Sequence, residues 1–62
     1  MRYIKYDEAD CFLEFWEDNK QIGCFGTTAE YKENYAGLIA DWTAGRLSWN
    51  QLGVEIKYIC EG

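Results

Sequence analysis

Between Thr27 and Gly45 the chain carries its one long amphipathic run, and the rest of the sequence must supply the surface that covers it. Tyr31, Tyr35, Leu38, Ile39 and Trp42 recur at helical spacing. They fall within a stripe of roughly 100°, the width of a core-facing helix surface. The pattern predicts a helix with one buried face. Thr27, followed three residues later by Glu30, has the form of a capping box, in which a hydroxyl and a carboxylate satisfy free backbone N–H groups. Gly45 offers a residue able to turn left-handed at the other end.

The flanking sequence reads as strands. Arg2 to Tyr6 is β-branched and aromatic enough for a short strand. Asp7-Glu8-Ala9-Asp10, with three carboxylates in four residues, suits a solvated turn. Cys11 to Glu17 alternates: Cys11, Leu13 and Phe15 on one side, to lie under the helix, and Phe12, Glu14 and Trp16 on the other. Asp18-Asn19-Lys20 makes a turn, and Gln21 to Phe25 returns as a third strand. After the helix, Ser48 caps a single turn through Leu52 that ends at Gly53, with Trp49 and Leu52 closing the edge of the core. Val54, Ile56, Tyr58 and Cys60 alternate with Glu55, Lys57 and Ile59, the pattern of a final strand. The expected order is βββαβ, a small α+β domain with one helix packed on a mainly antiparallel sheet.

Size makes every apolar residue count. A domain of 62 residues buries only about 60% of the surface its unfolded chain exposes. An aromatic content of 18% compensates, because each ring removes a large apolar area from water while freezing few torsions. No repeat, low-complexity segment, proline or linker divides residues 1–62, so one compact domain is expected.

A single helix covers only one face of such a sheet. Phe12 and Trp16 are then expected on the uncovered face, joined by Tyr3, Phe25 and Ile59. An exposed aromatic cluster of this kind calls for a cover: Trp49, a terminal segment or a second copy of the chain on one reading, a partner protein on the other.

The charge of −5 is unevenly written. Asp7, Glu8, Asp10, Glu14, Glu17 and Asp18 lie in residues 7 to 18 with no Lys or Arg among them, so that stretch alone carries −6. The remaining six bases and five acids nearly cancel. Glu30, Glu33 and Asp41 add an acidic arc on the outward side of the helix. Such a field can keep the protein soluble, and it can steer the protein to a basic partner. It disfavours direct binding to nucleic acid, which needs clustered Lys and Arg.

Catalytic and metal chemistry find little to work with. There is no histidine, which removes the commonest general base and every Ser-His or Cys-His pair. Cys11, Cys24 and Cys60 form no Cys-x-x-Cys, and Asp7, Glu8 and Asp10 lack the spacing and glycine of a calcium loop. Gly23 and Gly26 belong to no phosphate-binding pattern and read as strand distortion and turn. The sequence predicts a protein that is not an enzyme and holds no cofactor or metal. Three is an odd number of cysteines, so free thiols are expected. With neither a signal-like apolar run nor a stretch of about 20 apolar residues, a cytoplasmic, non-membrane protein is the expectation.

In size and charge the chain resembles the small acidic inhibitors that phages encode against host defence, anti-CRISPR proteins and nucleic-acid mimics among them. The resemblance implies an inhibitor that occludes a basic, nucleic-acid-binding surface of a larger protein. Asp7, Glu8, Asp10, Glu14, Glu17 and Asp18, with Glu30, Glu33 and Asp41, would pair with its Lys and Arg, and Trp16 would anchor the contact. The alternative is an assembly module that homodimerises through the aromatic sheet face.

Overall fold

The computed structural model describes residues 1–61, and it folds the first 26 of them into an antiparallel meander. Strand β1 (Arg2–Asp7) pairs with β2 (Phe12–Glu17), which pairs with β3 (Lys20–Gly26). The hairpin between β2 and β3 closes through Asp18 and Asn19 at φ 51° and 66°. Two successive left-handed residues match the twist of the flanking strands, and Asp and Asn tolerate that conformation better than most residues. The β1–β2 connection is longer. Asp7 accepts the N–H groups of Ala9 (3.0 Å) and Asp10 (3.2 Å), and Cys11 turns left-handed at φ 56° to enter β2. Cys11 is therefore an exposed turn residue, outside the inward row that its alternation with Leu13 and Phe15 suggested.

The predicted single helix is two: α1 (Tyr31–Asn34) and α2 (Ala36–Thr43). The expected start at Thr27 does not form, because the backbone of Thr27 is committed to the sheet. Its N–H donates to Cys11 O (2.8 Å), and its carbonyl accepts the Tyr6 hydroxyl (3.0 Å). Glu30 becomes the N-cap, with no side-chain cap bond. Tyr35, at φ −125° and ψ 11°, interrupts the run where Asn34, Tyr35 and Gly37 are weak helix formers. The break leaves Tyr31 5.0 Å from Tyr6 and Tyr35 edge-on to Phe25 at 5.4 Å. Gly45 does end α2 as expected: at φ 83° it lets Arg46 N–H reach Asp41 O (2.8 Å) while its own N–H reaches Trp42 O (3.1 Å).

The Ser48 cap forms in full, with the hydroxyl accepting Gln51 N–H (3.1 Å) and the Gln51 side chain accepting Ser48 N–H (3.0 Å). The helix it starts, α3 (Trp49–Glu55), runs through Gly53 and takes up Val54 and Glu55, which the alternating pattern had placed in a strand. Leu52 and, four residues on at the C-cap, Ile56 are buried, and Ile59 beyond the helix packs against the core, whereas Val54 (74%) and Tyr58 (79%) stay exposed. Among the described residues, Cys60–Glu61 alone form β4, an antiparallel addition to β3.

All three helices cover one face of the sheet. Leu13 and Phe15 of β2 and Phe25 of β3 meet Tyr31, Ile39, Trp42, Leu52 and Ile56 in one core. Phe15 sits at its centre, edge-on to Trp42 (5.2 Å) and Trp49 (5.4 Å) and stacked on Phe25 (6.0 Å). A bulge at the Phe15/Trp16 step brings Gly23 opposite Phe15, under the ring of Trp49. A Cβ there would stand 2.3 Å from Trp49 Cζ2 and 2.4 Å from Cys60 O, so only glycine admits the indole to the sheet.

Candidate functional site

The face turned away from the helices follows from strand alternation. Tyr3 and Lys5 of β1, Phe12, Glu14 and Trp16 of β2, and Cys24 of β3 alternate with residues that face the core. Tyr3 and Trp16 are cross-strand partners and stack at 6.0 Å with planes 13° apart. Lys5 lays its ammonium 4.3 Å from the Trp16 centroid and 5.8 Å from that of Tyr3. Glu14, directly opposite Lys5, accepts the indole N–H of Trp16 at 3.0 Å. Trp16 is thus held by its own sheet neighbours, the cation–π contact contributing about 0.5–1 kcal/mol at an exposed site. Phe12, 44% exposed, is the open ring of this face.

Two residues expected here lie elsewhere. Phe25 is Leu13's cross-strand partner and is buried on the helix side, and Ile59 packs against the core. Lys5 was not singled out in the sequence, although its i+2 relation to Tyr3 on one strand puts cation and ring on the same face.

The nine acidic residues of interest divide into groups. At one end, the β1–β2 turn carries Asp7, Glu8 and Asp10. The bonds from Thr27 to Cys11 and Tyr6, together with the Tyr6–Tyr31 contact, seat the start of α1 beside that turn. Glu30 and Glu33 are exposed there, with Lys32 the basic residue on the same segment. The Tyr6 hydroxyl beneath this pole is pushed above its ordinary pKa, first by desolvation and then by Cys11, Glu8 and Tyr31.

The other end is neutralised from within. Glu17 pairs with Arg2 at 2.8 Å, and Asp18 with the Met1 ammonium at 2.6 Å. The ammonium's hydrogen bond and charge hold the Asp18 carboxyl below its usual range. Asp41 pairs with Arg46 at 2.9 Å on the helical layer. Arg2 also donates to the carbonyls of Trp42 (3.0 Å) and Leu47 (2.9 Å) and lies over the Trp42 ring at 5.3 Å. It clamps the first strand to the C-terminal end of α2, where backbone carbonyls favour a cation.

Six residues of β2, at about 3.3 Å each, separate the two turns by roughly 20 Å, with Glu14 between them. The −6 stretch is contiguous only in sequence. Asp7, Glu8 and Asp10 on the β1–β2 turn, and Glu30 and Glu33 on the segment that Thr27 and Tyr31 tie to the same end of the sheet, make up an acidic pole, while Glu17, Asp18 and Asp41 are engaged in ion pairs.

The thiols of Cys11, Cys24 and Cys60 are free. Among the described residues no cluster of three or more Cys, Asp or Glu is placed to hold a metal ion, and no helix is long and apolar enough to cross a membrane. Compared with known protein families, curated proteins and solved structures, the chain matches none of them.

Proposed function

We propose that this chain is a non-enzymatic binding protein that docks its acidic pole on a basic, nucleic-acid-binding surface of a larger protein and blocks it. The observation that carries this reading is the unequal treatment of the carboxylates. Those of the far end are paired with Arg2, the Met1 ammonium and Arg46, whereas Glu8, Asp10, Glu30 and Glu33 stand exposed with no ion pair among the described residues. Unpaired carboxylates that outnumber the one base of their segment, Lys32, present to a partner's Lys and Arg the charge that phosphates would present. The same charge argues against direct contact with nucleic acid. Three free thiols suit a reducing, cytoplasmic compartment.

Affinity capture from candidate host lysates, followed by mass spectrometry, tests this. A nucleic-acid-binding protein should be captured at low salt, released by competing DNA or RNA, and missed by a Glu8→Lys, Asp10→Lys, Glu30→Lys variant that keeps its fold. Capture that survives both the competitor and the charge reversal would remove the acidic pole from the mechanism.

The second reading, homodimerisation through the open sheet face, is favoured by the exposure of Phe12 on the same face as the Tyr3–Trp16 stack, at the other end of β2. It expects a mass in sedimentation equilibrium that rises with concentration and falls back to the monomer in Phe12→Ser.

A further inference from the structure

Cys24 and Cys60 are directly opposed cross-strand partners in the β3–β4 ladder. Opposed residues of an antiparallel pair project to the same face with Cα atoms about 4.5 or about 5.5 Å apart, according to the ladder position. Both separations fall inside the range of about 4.4–6.8 Å that a disulfide requires. We propose that Cys24 and Cys60 are a redox modification site: a reversible disulfide, made by exchange with a small disulfide of the glutathione type, that fastens the C-terminal strand to the sheet.

The surroundings suit the exchange. Cys60 is exposed, within reach of a soluble disulfide, and Cys24 is half-buried beside it. The Cys60 thiol points to Tyr58 O over 3.8 Å, a weak contact that a rotation about its Cα–Cβ bond releases. The Cys60 thiolate attacks the small disulfide, expels one small thiolate and leaves a mixed disulfide. The Cys24 thiolate then attacks Cys60 Sγ and expels the second. Two protein S–H bonds are replaced by one S–S bond, and the small disulfide is reduced to two thiols that carry away the two protons.

Cys11 is excluded from this pairing by register. Its carbonyl accepts the Thr27 N–H, and Phe12 lies opposite Gly26, so Cys11 stands three residues along the ladder from Cys24. At about 3.3 Å per residue that is roughly 10 Å, beyond disulfide reach. The bond would also act where the ladder is weakest, since β4 is two residues long. It would close a loop containing all three helices, and a long closed loop restricts the unfolded chain strongly.

The folded, reduced, full-length protein should be incubated with oxidised glutathione, alkylated without reduction and mapped by mass spectrometry. The expected product is lighter by two hydrogens before alkylation, yields a Cys24–Cys60 linked peptide and is alkylated at Cys11 alone. Its Tm should rise by about 10 °C or more, and dithiothreitol should reverse the rise. Cys11→Ser should behave identically, whereas Cys60→Ser should lose both the mass change and the Tm shift. Persistent glutathione adducts on Cys24 or Cys60 in Cys11→Ser, a linkage through Cys11, or a bond that lowers Tm would each overturn the proposal. None of these readouts depends on the partner-binding reading.

Discussion

Gly23 shows how much of this fold hangs on single residues. Its missing side chain is the space in which Trp49 lies against the sheet, and two of the atoms a Cβ would strike are indole carbons while the third is a backbone oxygen. Gly23→Ala must displace either the Trp49 ring or the β4 backbone. We expect destabilisation at or above the upper end of the usual overpacking cost of about 1–3 kcal/mol, read as a loss of urea midpoint. Gly26→Ala should cost less in packing, because its nearest neighbour, Phe12, would stand at an ordinary 3.7 Å. Asp18 carries a prediction of a different kind. Its folded-state pKa lies below the unfolded value of about 3.9. Its contribution to stability is therefore present above about pH 4 and lost as pH falls through the folded value. Asp18→Asn keeps a residue that tolerates the left-handed turn but removes the charge, so Tm should fall less steeply between about pH 4 and 2 than in the wild type. An unchanged pH profile would show that the Met1–Asp18 pair is not maintained in solution.

Among the elements, those with complete local signals were legible and those with shared signals were not. Ser48 and Gln51 form both bonds of a capping box, and Gly45 turns left-handed after α2, as the residues suggested. Thr27 and Glu30 have the same sequence form, yet Thr27 is claimed by Cys11 and Tyr6 of the sheet, a long-range competition that no local pattern reveals. Between Leu52 and Cys60, apolar residues occur at both strand and helix spacing. The nucleated helix decided the matter, burying Leu52 and Ile56 and leaving Val54 and Tyr58 in water. Phe25 was misplaced because the face of β3 depends on its register with β2, which the sequence leaves open. Two substitutions test the helical account of this segment. Ser48→Ala should cost about 1 kcal/mol, near 4–8 °C in Tm for a domain of this size. Leu52→Ala should cost about 2–5 kcal/mol, more than Leu38→Ala, whose side chain is only half-buried. If Leu38 proved the costlier position, α2 rather than α3 would be the main lid of the core.

At the scale of the molecule, the sequence displayed the amount of negative charge but misrepresented its distribution. A hairpin sends neighbouring acids to opposite ends of a strand, and the contacts of Thr27 and Tyr31 with Cys11 and Tyr6 place the segment carrying Glu30 and Glu33 at the β1–β2 end of the sheet. The two ends can therefore be separated experimentally once a partner is in hand. Reversal of Glu8, Asp10 and Glu30 to Lys should slow association and weaken its salt dependence, because the steering field acts over screening lengths of about 10 Å at 0.1 M salt and about 3 Å at 1 M. These side chains make no ion pair among the described residues, so the variant should melt near the wild-type temperature. Reversal of Glu17 and Asp18 changes the charge by +4, against +6 for the triple reversal, and sets Lys against Arg2 and the Met1 ammonium. That variant should lose stability while its association rate, measured below its melting temperature, falls much less. Slowing by the two reversals in proportion to the charge each changes, or equal slowing, would mean that the position of the charge does not matter to the partner, and the acidic pole would lose its claim to be the docking surface.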